Sequence, residues 1–318
     1  ARRFGADGRK VLFLCFNRLL FTYLQHMYPY DNVSYCNIHT FIAKYRPGAD
    51  TSSKEKRTAE LLKIDWDFLE FDDVIIDEGQ DFMEEEVVYF KEYIDLVDGH
   101  FFVFYDKNQL LTTQKVPAWI ENAECKLLLT KNCRNTYEIA LTSYNVIDIS
   151  LNKKIMMING DQTSISFVKG EPITRLAKLI RMLTGEHYGY EYSDIVILSL
   201  KSEDSILGKI NKIAGIPITR EKTNSSILFT TASKFKGLES RVVIIVDIDE
   251  KSFTDEERKR MFYVACSRAT QYLNLFINGD EQKIKDIADA ISRKSHFAAK
   301  GRIAMKTQAK ILDLDEII

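Results

Sequence analysis

The sequence predicts an α/β protein built on parallel sheets, and three observations support that fold class. Short continuous apolar runs, such as residues 10–16 (KVLFLCF) and 241–247 (RVVIIVD), are typical of strands that are buried on both faces. Segments with helical periodicity separate these runs. Signals for tight hairpins are scarce. Strands that alternate with helices in this way indicate a parallel sheet covered by helices.

The first half of the chain contains four predicted strands and three predicted helices. The strands are residues 10–16, 33–38, 71–76 and 100–105. The helices are residues 18–28, 51–62 and 82–97. The last of these helices has an apolar stripe formed by Val87, Val88, Phe90 and Ile94, which predicts that one side packs on the sheet.

The same pattern restarts near Cys125, which predicts a domain boundary there. The later strands are residues 126–129, 164–169, 194–200, 227–231, 241–247 and 272–276. The later helices are residues 136–146, 173–183 and 256–269. A chain of 318 residues is long enough for two compact domains. We therefore predict domains at residues 1–125 and 126–280, followed by a helical C-terminal tail at 281–318.

Composition narrows the class of protein. Hydrophobic residues make up 45% and charged residues 28%, as in ordinary globular proteins, and no apolar run is long enough to cross a bilayer. The first residues contain no apolar segment of the signal-peptide type, so we expect a cytoplasmic location without membrane partners. The five cysteines form no C-x-x-C pair, which argues against a zinc site. A net charge of −2 neither supports nor excludes nucleic-acid binding.

Paired acids follow the strand at residues 71–76. In a nucleotide hydrolase, Asp77 in this position holds Mg²⁺ and Glu78 polarises the attacking water, and Gly79 permits the tight turn after them. Asp106 and Gln109 follow the next strand, and the carboxyl ends of parallel strands share one edge of a sheet. A Gln at that edge can sense a γ-phosphate. The alternative for each of these groups is a solvated polar turn.

Arg134 follows the first predicted strand of the second half, in the segment 130–135 (TKNCRN). An arginine that reaches a cleft between two domains there would act as an arginine finger, which neutralises transition-state charge during phosphoryl transfer. The alternative is an arginine that pairs on a surface loop.

Two segments near the C-terminus complete the pattern, namely 231–239 (TASKFKGLE) and 263–269 (YVACSRA). With the acidic turn, the segment 106–109 and the segment 132–134, these motifs occur in an order that resembles the UvrD/Rep-like superfamily I helicases. The resemblance implies two RecA-like parallel-sheet domains of the P-loop NTPase type, which hold ATP between them.

The resemblance also implies roles for individual residues. Asp77 and Glu78 match the pair that binds Mg²⁺ and activates water, and Gln109 matches the residue that couples the γ-phosphate to DNA. Arg134 and Arg268 match two phosphate-contacting arginines, and Glu239 matches the acid that holds the ribose. Lys236 and Gly237 lie in the loop that links nucleotide state to the DNA backbone. The residues that match nucleic-acid contacts are Phe16, Asn17, His39, Thr40, Phe41, Thr231 and Ser233. Phe41 is a candidate for stacking on a base, and its alternative is a core aromatic residue.

The chain departs from the family pattern in one major respect. The Gly-rich phosphate loop that ends in Gly-Lys-Thr or Gly-Lys-Ser is absent, and Gly5 and Gly8 do not supply it. We expect that the first domain is truncated at its N-terminus and that an upstream segment or a fused domain belongs to the same protein. Minor departures are Tyr105, which stands where Gly is common, and Cys266-Ser267 before the second arginine.

The expected function is therefore that of an ATP-dependent helicase or translocase motor core, with ATP and Mg²⁺ as cofactors. The expected nucleic-acid partner is single-stranded DNA, with RNA as the alternative. The family's usual direction of movement along the nucleic acid is 3′ to 5′. Two other readings stay open. One is a catalytically degenerate nucleic-acid-binding or regulatory module. The other is an ATPase switch of a larger nuclease or defence assembly that does not unwind strands.

Overall fold

The computed structural model describes residues 1–106, 117–127, 132–148, 158–201, 205, 208, 210–221, 223–291 and 298–314. The chain divides into two compact units, Ala1–Leu128 and Leu129–Ile318. Each unit contains a sheet whose strands are parallel or mostly parallel. The predicted α/β class is confirmed.

The first unit contains a four-stranded parallel sheet among its described residues. Its strands are β1 (Val11–Cys15), β2 (Val33–Asn37), β3 (Asp73–Ile76) and β4 (His100–Val103). Its helices are α1 (Arg2–Ala6), α2 (Arg18–Met27), α3 (Ile38–Tyr45), α4 (Lys54–Leu61), α5 (Glu84–Leu96) and α6 (Ala118–Glu121). The strand order is β2-β1-β3-β4, so β1 and β3 are central.

Short polar side chains explain where the helices of this unit begin. Asn17 accepts a hydrogen bond from the Leu19 amide at the start of α2, and Asn37 accepts one from the Thr40 amide at the start of α3. Ser53 does the same for α4 through the Lys56 amide. Such caps satisfy backbone donors that have no partner within the helix. Because Asn17 and Asn37 lie at the ends of β1 and β2, both helices start at the same edge of the sheet.

The second unit contains an eight-stranded sheet among its described residues. Its strands are β5 (Ser164–Val168), β6 (Ile195–Ser199), β7 (Lys212–Ile213), β8 (Ile216–Thr219), β9 (Ile227–Thr231), β10 (Ser240–Val246), β11 (Ala269–Asn278) and β12 (Lys310–Ile311). Its helices are α7 (Tyr137–Val146), α8 (Pro172–Thr184), α9 (Lys251–Thr254), α10 (Glu256–Cys266), α11 (Glu281–Ile291) and α12 (Ala299–Thr307). The strand order is β12-β5-β11-β10-β6-β9-β8-β7.

One hairpin was not expected from the sequence. β7 and β8 pair antiparallel and are joined by Ala214 and Gly215, which have φ angles of 48° and 88°. Two successive positive φ angles are typical of the tight turns that join hairpin strands. The sequence analysis missed this turn because Ala-Gly is not among the usual signals for it.

The C-terminal segment packs on the second unit. Ile303 of α12 is fully buried, and β12 pairs in parallel with β5. The segment predicted as a helical tail therefore contributes two helices to this unit and a short strand to its sheet. A strand was predicted at residues 126–129, at the start of the second domain. Lys126 and Leu127 have no regular secondary structure, and residues 128–129 lie outside the described residues.

None of the helices in the described part of the chain combines the length and the apolar composition that a membrane span requires.

Candidate functional site

The predicted site residues of the first unit lie along one edge of its sheet. Phe16 and Asn17 follow β1, and His39 and Thr40 begin α3 directly after β2. Asp77 follows β3, and Asp106 lies three residues beyond the end of β4. Because the four strands are parallel, these positions share the carboxyl edge of the sheet. Gln109, also predicted for this edge, lies outside the described residues.

The acidic turn has a defined backbone conformation. The Asp77 amide donates to the Leu14 carbonyl at 2.8 Å, and the Glu78 amide donates to Asp77 Oδ1 at 3.0 Å. Glu78 adopts a left-handed conformation with φ 55° and ψ 48°, and the Gln80 side-chain amide donates to its carboxylate. A left-handed conformation is uncommon for a residue with a side chain and is often found at functional sites.

Gly79 has a different role from the one expected. Its φ is not positive, so the tight turn depends on Glu78 rather than on Gly79. A Cβ atom at Gly79 would lie 2.5 Å from Val103 Cγ1 and 3.4 Å from the Phe104 carbonyl oxygen. The Gly79 amide also donates to that oxygen at 2.8 Å. Glycine is therefore required here because the acidic turn packs closely against the end of β4.

The residues predicted to contact nucleic acid differ in exposure. Phe16 is 37% exposed and Thr40 is exposed, whereas Phe41 is 1% exposed. Phe41 packs on the rings of Tyr45 and Phe90 inside the core of the first unit. Phe41 therefore occupies the position of a core aromatic residue, which was the alternative to stacking on a base, because neighbouring core side chains enclose its ring.

The Asn17 side chain also has a structural partner, because it caps α2. His39 is half-buried, and its Nδ1 lies 2.9 Å from Thr51 Oγ1. Burial lowers the pKa of His39 from its ordinary value, and the nearby Arg57 lowers it further. His39 is therefore a neutral ring near pH 7.

In the second unit, an ion pair joins two of the predicted site residues. Arg134 Nε lies 2.8 Å from Glu239 Oε2, and these residues are 105 positions apart. The side chains are 40% and 56% exposed, respectively. The structure therefore brings together the arginine proposed for the phosphates and the acid proposed for the ribose, both within reach of solvent.

Arg268 does not have the exposure that its predicted role requires. It is 1% exposed, and its guanidinium donates to the Val264 carbonyl at 3.1 Å and to Ser267 Oγ at 3.1 Å. It also donates to the Leu238 carbonyl at 3.5 Å, next to Glu239. In this conformation Arg268 holds the backbone of its own unit, and direct contact with a phosphate would require the side chain to move.

Asn135 joins two of the predicted site segments, a contact that the sequence analysis did not identify. Its side-chain amide donates to the Ser267 carbonyl at 3.0 Å and to the Ala269 carbonyl at 2.6 Å, which flank Arg268. The side chain is buried. Asn135 therefore attaches the Arg134 segment to the Arg268 segment. Its position directly after the arginine was the only signal available in the sequence.

The loop after β9 connects the two edges of the second sheet. Thr231 ends β9 at the carboxyl edge, where its Oγ1 lies 3.1 Å from Ser233 Oγ, whereas Glu239 directly precedes β10 at the amino edge. Between them, Lys236 is half-buried and Gly237 has a φ of 82°, which favours glycine. Thr231 and Ser233 are therefore at the opposite edge of the sheet from the Arg134–Glu239 pair.

The buried cysteines near these motifs are packing residues. Burial raises the pKa of the Cys15 thiol to about 12, and burial raises the pKa of the Cys266 thiol well above its usual range. Both thiols are uncharged at neutral pH, so neither has the thiolate that nucleophilic or metal-binding chemistry requires.

The acidic turn offers the oxygen ligands that Mg²⁺ prefers. Magnesium is usually bound through one or two carboxylates, with water and phosphate oxygens completing the shell. Asp77 and Glu78 meet that requirement by their chemistry. No group of three or more His, Cys, Asp or Glu side chains suited to a metal occurs among the described residues.

Comparison with protein families identifies one matching segment. Residues 226–276 match the UvrD-like helicase C-terminal domain. This segment contains β9, the loop with Lys236, Gly237 and Glu239, the helix α10 before Arg268 and most of the strand β11 after it. The resemblance to the UvrD/Rep-like helicases is confirmed. No curated protein matches the chain.

Several solved structures are similar to the chain. One is the C-terminal domain of a possible DNA helicase from Lactobacillus plantarum WCFS1, with 20% identity and a TM-score of 0.38, over 51% of this chain and 94% of that chain. Another is the PRRSV helicase, with 10% identity and a TM-score of 0.40, over 86% and 48% of the respective chains. A third is the arterivirus nonstructural protein 10 helicase with DNA, with 13% identity and a TM-score of 0.39, over 88% and 58%. The chain spans about half the length of these two viral helicases.

Proposed function

We propose, starting from the UvrD-like helicase C-terminal domain that residues 226–276 match, that this chain is the motor core of an ATP-dependent DNA helicase or translocase. ATP hydrolysis would drive movement along single-stranded DNA, with 3′ to 5′ as the family's usual direction.

One observation carries most of the weight. Three segments that are far apart in sequence converge in the second unit, because Arg134 contacts Glu239 and Asn135 contacts the backbone on both sides of Arg268. The exposed pair of Arg134 and Glu239 suits a nucleotide, since an arginine matches phosphate charge and an acid accepts hydrogen bonds from ribose hydroxyls. Arg268 would join them only if its side chain left its backbone partners.

In this proposal the first unit would supply the chemistry for hydrolysis. Asp77 and Glu78 would hold Mg²⁺, which supplies positive charge to the phosphates when bound. Glu78 would orient and deprotonate the attacking water, and its left-handed backbone and its bond from Gln80 fix the carboxylate at the carboxyl edge of the sheet. Arg134, partly exposed, is the group of the second unit that is ready to contact a phosphate.

The nucleic acid would contact the same edge of the first unit through Phe16 and His39. Thr40 and Asn17 lie beside them, and Thr231 and Ser233 would add contacts from the second unit. Stacking of bases on aromatic rings tolerates any sequence, as a translocating motor requires.

The test is steady-state ATP hydrolysis, with and without a short oligothymidylate, for this chain and for a form extended upstream to include a phosphate loop. Turnover that rises with the oligonucleotide supports the motor. The Glu78→Gln variant of the same form controls for contaminating ATPases. Absence of turnover in both forms, with intact oligonucleotide binding, would contradict the proposal.

The burial of Arg268 favours one second candidate, a nucleic-acid-binding module without turnover. In that case Arg268 is only a structural residue, and the three converging segments form a scaffold. The same experiment separates the two, because this module binds the oligonucleotide and hydrolyses no ATP. A forked-duplex assay then distinguishes a helicase from an ATPase switch, which hydrolyses ATP without separating strands.

A further inference from the structure

A buried ion pair lies beneath the carboxyl edge of the first sheet. Arg57 of α4 donates from Nε to Glu86 Oε1 and from Nη2 to Glu86 Oε2, each at 2.7 Å. The side chains are 2% and 0% exposed. Glu86 also accepts from Thr58 Oγ1 at 3.0 Å and from the Met83 amide at 2.9 Å. Both carboxylate oxygens are therefore satisfied, and the guanidinium is fixed in one orientation.

This guanidinium supports an exposed aromatic ring. Arg57 Cζ lies 5.2 Å from the centroid of the Phe16 ring. The Phe16 ring in turn meets the His39 ring edge to face, with centroids 5.9 Å apart. His39 Nδ1 also lies within hydrogen-bond distance of Thr51 Oγ1. Phe16 and His39 thus form a ring pair, supported from within the unit by Arg57 and reaching solvent at Phe16.

We propose that the Arg57–Glu86 ion pair is the positioning element of this ring pair, and that it holds Phe16 in the orientation that receives a nucleobase of the bound single strand. The inference rests on the proposed nucleic-acid contact at Phe16 and His39. It adds two positioning residues, on α4 and α5, that do not themselves touch the strand.

The ion pair suits this task for a physical reason. A planar guanidinium that is held at two atoms presents a flat cationic face, and such a face attracts the π-system of an aromatic ring. Phe16 lies in the short connection between β1 and α2, so neither a strand nor a helix fixes its backbone. The cation therefore restricts the ring before the strand arrives, which reduces the entropy lost on binding.

A buried charge also explains the choice of test variants. Removal of one partner leaves the other charge buried and unpaired, so a single substitution is expected to destabilise the unit strongly. Replacement of both partners by apolar side chains of similar length is tolerated much better. The double variant Arg57→Met, Glu86→Met therefore removes the cation while keeping the packing.

Binding to a labelled short oligothymidylate is measured by fluorescence anisotropy. The position of the base is measured with an oligonucleotide that carries 5-iododeoxyuridine at its centre, because ultraviolet light cross-links this base to neighbouring side chains and mass spectrometry identifies them. The variants are Phe16→Ala, the double Met variant and Arg57→Lys. Arg57→Lys keeps the charge but loses the second hydrogen bond. Tyr93→Phe is the matched control, because it removes buried hydrogen bonds to Phe71 in the same unit and leaves the ring pair intact.

We expect Phe16→Ala to weaken binding about tenfold or more, in line with the loss of one base–aromatic stack. The double Met variant should bind the oligonucleotide several-fold more weakly than wild type and should lose the cross-link at Phe16. Arg57→Lys should have an affinity and a cross-link yield between those of the double variant and wild type. Tyr93→Phe should keep both the affinity and the cross-link. A change in stability alone would not remove the cross-link from a folded protein.

Two results would overturn the inference, and they are distinguishable. If Phe16→Ala weakens binding but the folded double Met variant binds and cross-links like wild type, the ion pair has no positioning role. If Phe16→Ala binds like wild type, the proposed strand contact itself is wrong and the inference fails with it. Should the double variant not fold, wild-type cross-linking by Arg57→Lys would overturn the inference in the same way.

Discussion

Arg134 Nε donates a hydrogen bond of 2.8 Å to Glu239 Oε2 and so joins the two groups of the second unit that are proposed for different parts of one nucleotide. Both side chains are substantially exposed, and an exposed ion pair contributes about 0–1 kcal/mol to stability. A nucleotide bound as proposed would therefore replace this contact at little cost. The pair keeps Arg134 and Glu239 near each other without tying either of them tightly.

We predict that Glu239→Gln weakens nucleotide binding and leaves the stability of the protein almost unchanged. The free energy of unfolding should change by less than about 1 kcal/mol, because the lost pair is exposed. Affinity for a fluorescent ATP analogue should fall about tenfold if the carboxylate accepts bonds from the ribose, since hydrogen bonds to charged groups contribute about 1.5–3 kcal/mol. Titration of the analogue and urea unfolding measure the two effects.

Asp194→Asn is the matched control for that experiment. It removes the ion pair with Arg241, which is 2.9 Å long and in which the Arg241 side chain is 51% exposed and the Asp194 side chain 19% exposed. Nucleotide affinity should stay at the wild-type value. Equal losses of affinity in the two variants would show that Glu239 has no specific role.

Glu78→Gln should strongly reduce turnover while nucleotide binding is retained. The amide keeps the shape and the contact with Gln80, but it does not accept a proton from water. General-base catalysis typically contributes 10²–10⁴-fold, so we expect the hydrolysis rate to fall by about that factor. The measurement is ATP hydrolysis in a form of the protein that is active. Wild-type turnover in the variant would exclude Glu78 as the base.

Gly79→Ala should destabilise the first unit by about 1–3 kcal/mol, a range typical of overpacking. The added Cβ would lie 2.5 Å from Val103 Cγ1. Both tryptophans of the chain, Trp66 and Trp119, lie in this unit, so tryptophan fluorescence reports its unfolding. Val103→Ala should relieve part of the clash, so the double variant should lose less stability than the sum of the single variants. If the losses of stability in the two single variants add up to the loss in the double variant, Val103 is not the side chain that clashes with the added Cβ.

The titration of His39 gives a pH prediction. Its pKa in the folded protein is lowered by burial and by Arg57, below the ordinary value of 6.5. The unfolded state therefore takes up a proton at a higher pH than the folded state does. As pH falls from about 6.5 toward the folded pKa, the protein should lose stability, and the loss should end below that pKa.

Nuclear magnetic resonance of the histidine rings measures the folded pKa directly, and thermal melts across this pH range measure the stability. His39→Gln should remove this part of the pH dependence. A folded pKa at or above 6.5 would contradict the prediction.

The order of strands and helices was predictable because it depends on local patterns. Apolar runs such as residues 10–16 identified the strand β1, and helical periodicity identified the helix α5. The position of Asp77 and Glu78 at the carboxyl edge also followed, because parallel strands place their ends together. The hairpin of β7 and β8 was missed, since its turn lacks the usual residues.

The sequence by itself determined most of the elements and which residues follow each of the predicted strands, because these properties depend on neighbouring residues. Only the tertiary structure decided which side chains are buried and which groups they meet. Phe41 became a core residue, and Arg268 was enclosed by its own backbone partners. Asn135 bonds to the carbonyl of Ser267, which is 132 positions away in the sequence. Arg57 pairs with Glu86, which is 29 positions away. Such contacts depend on how distant elements pack, which no local pattern in one sequence records.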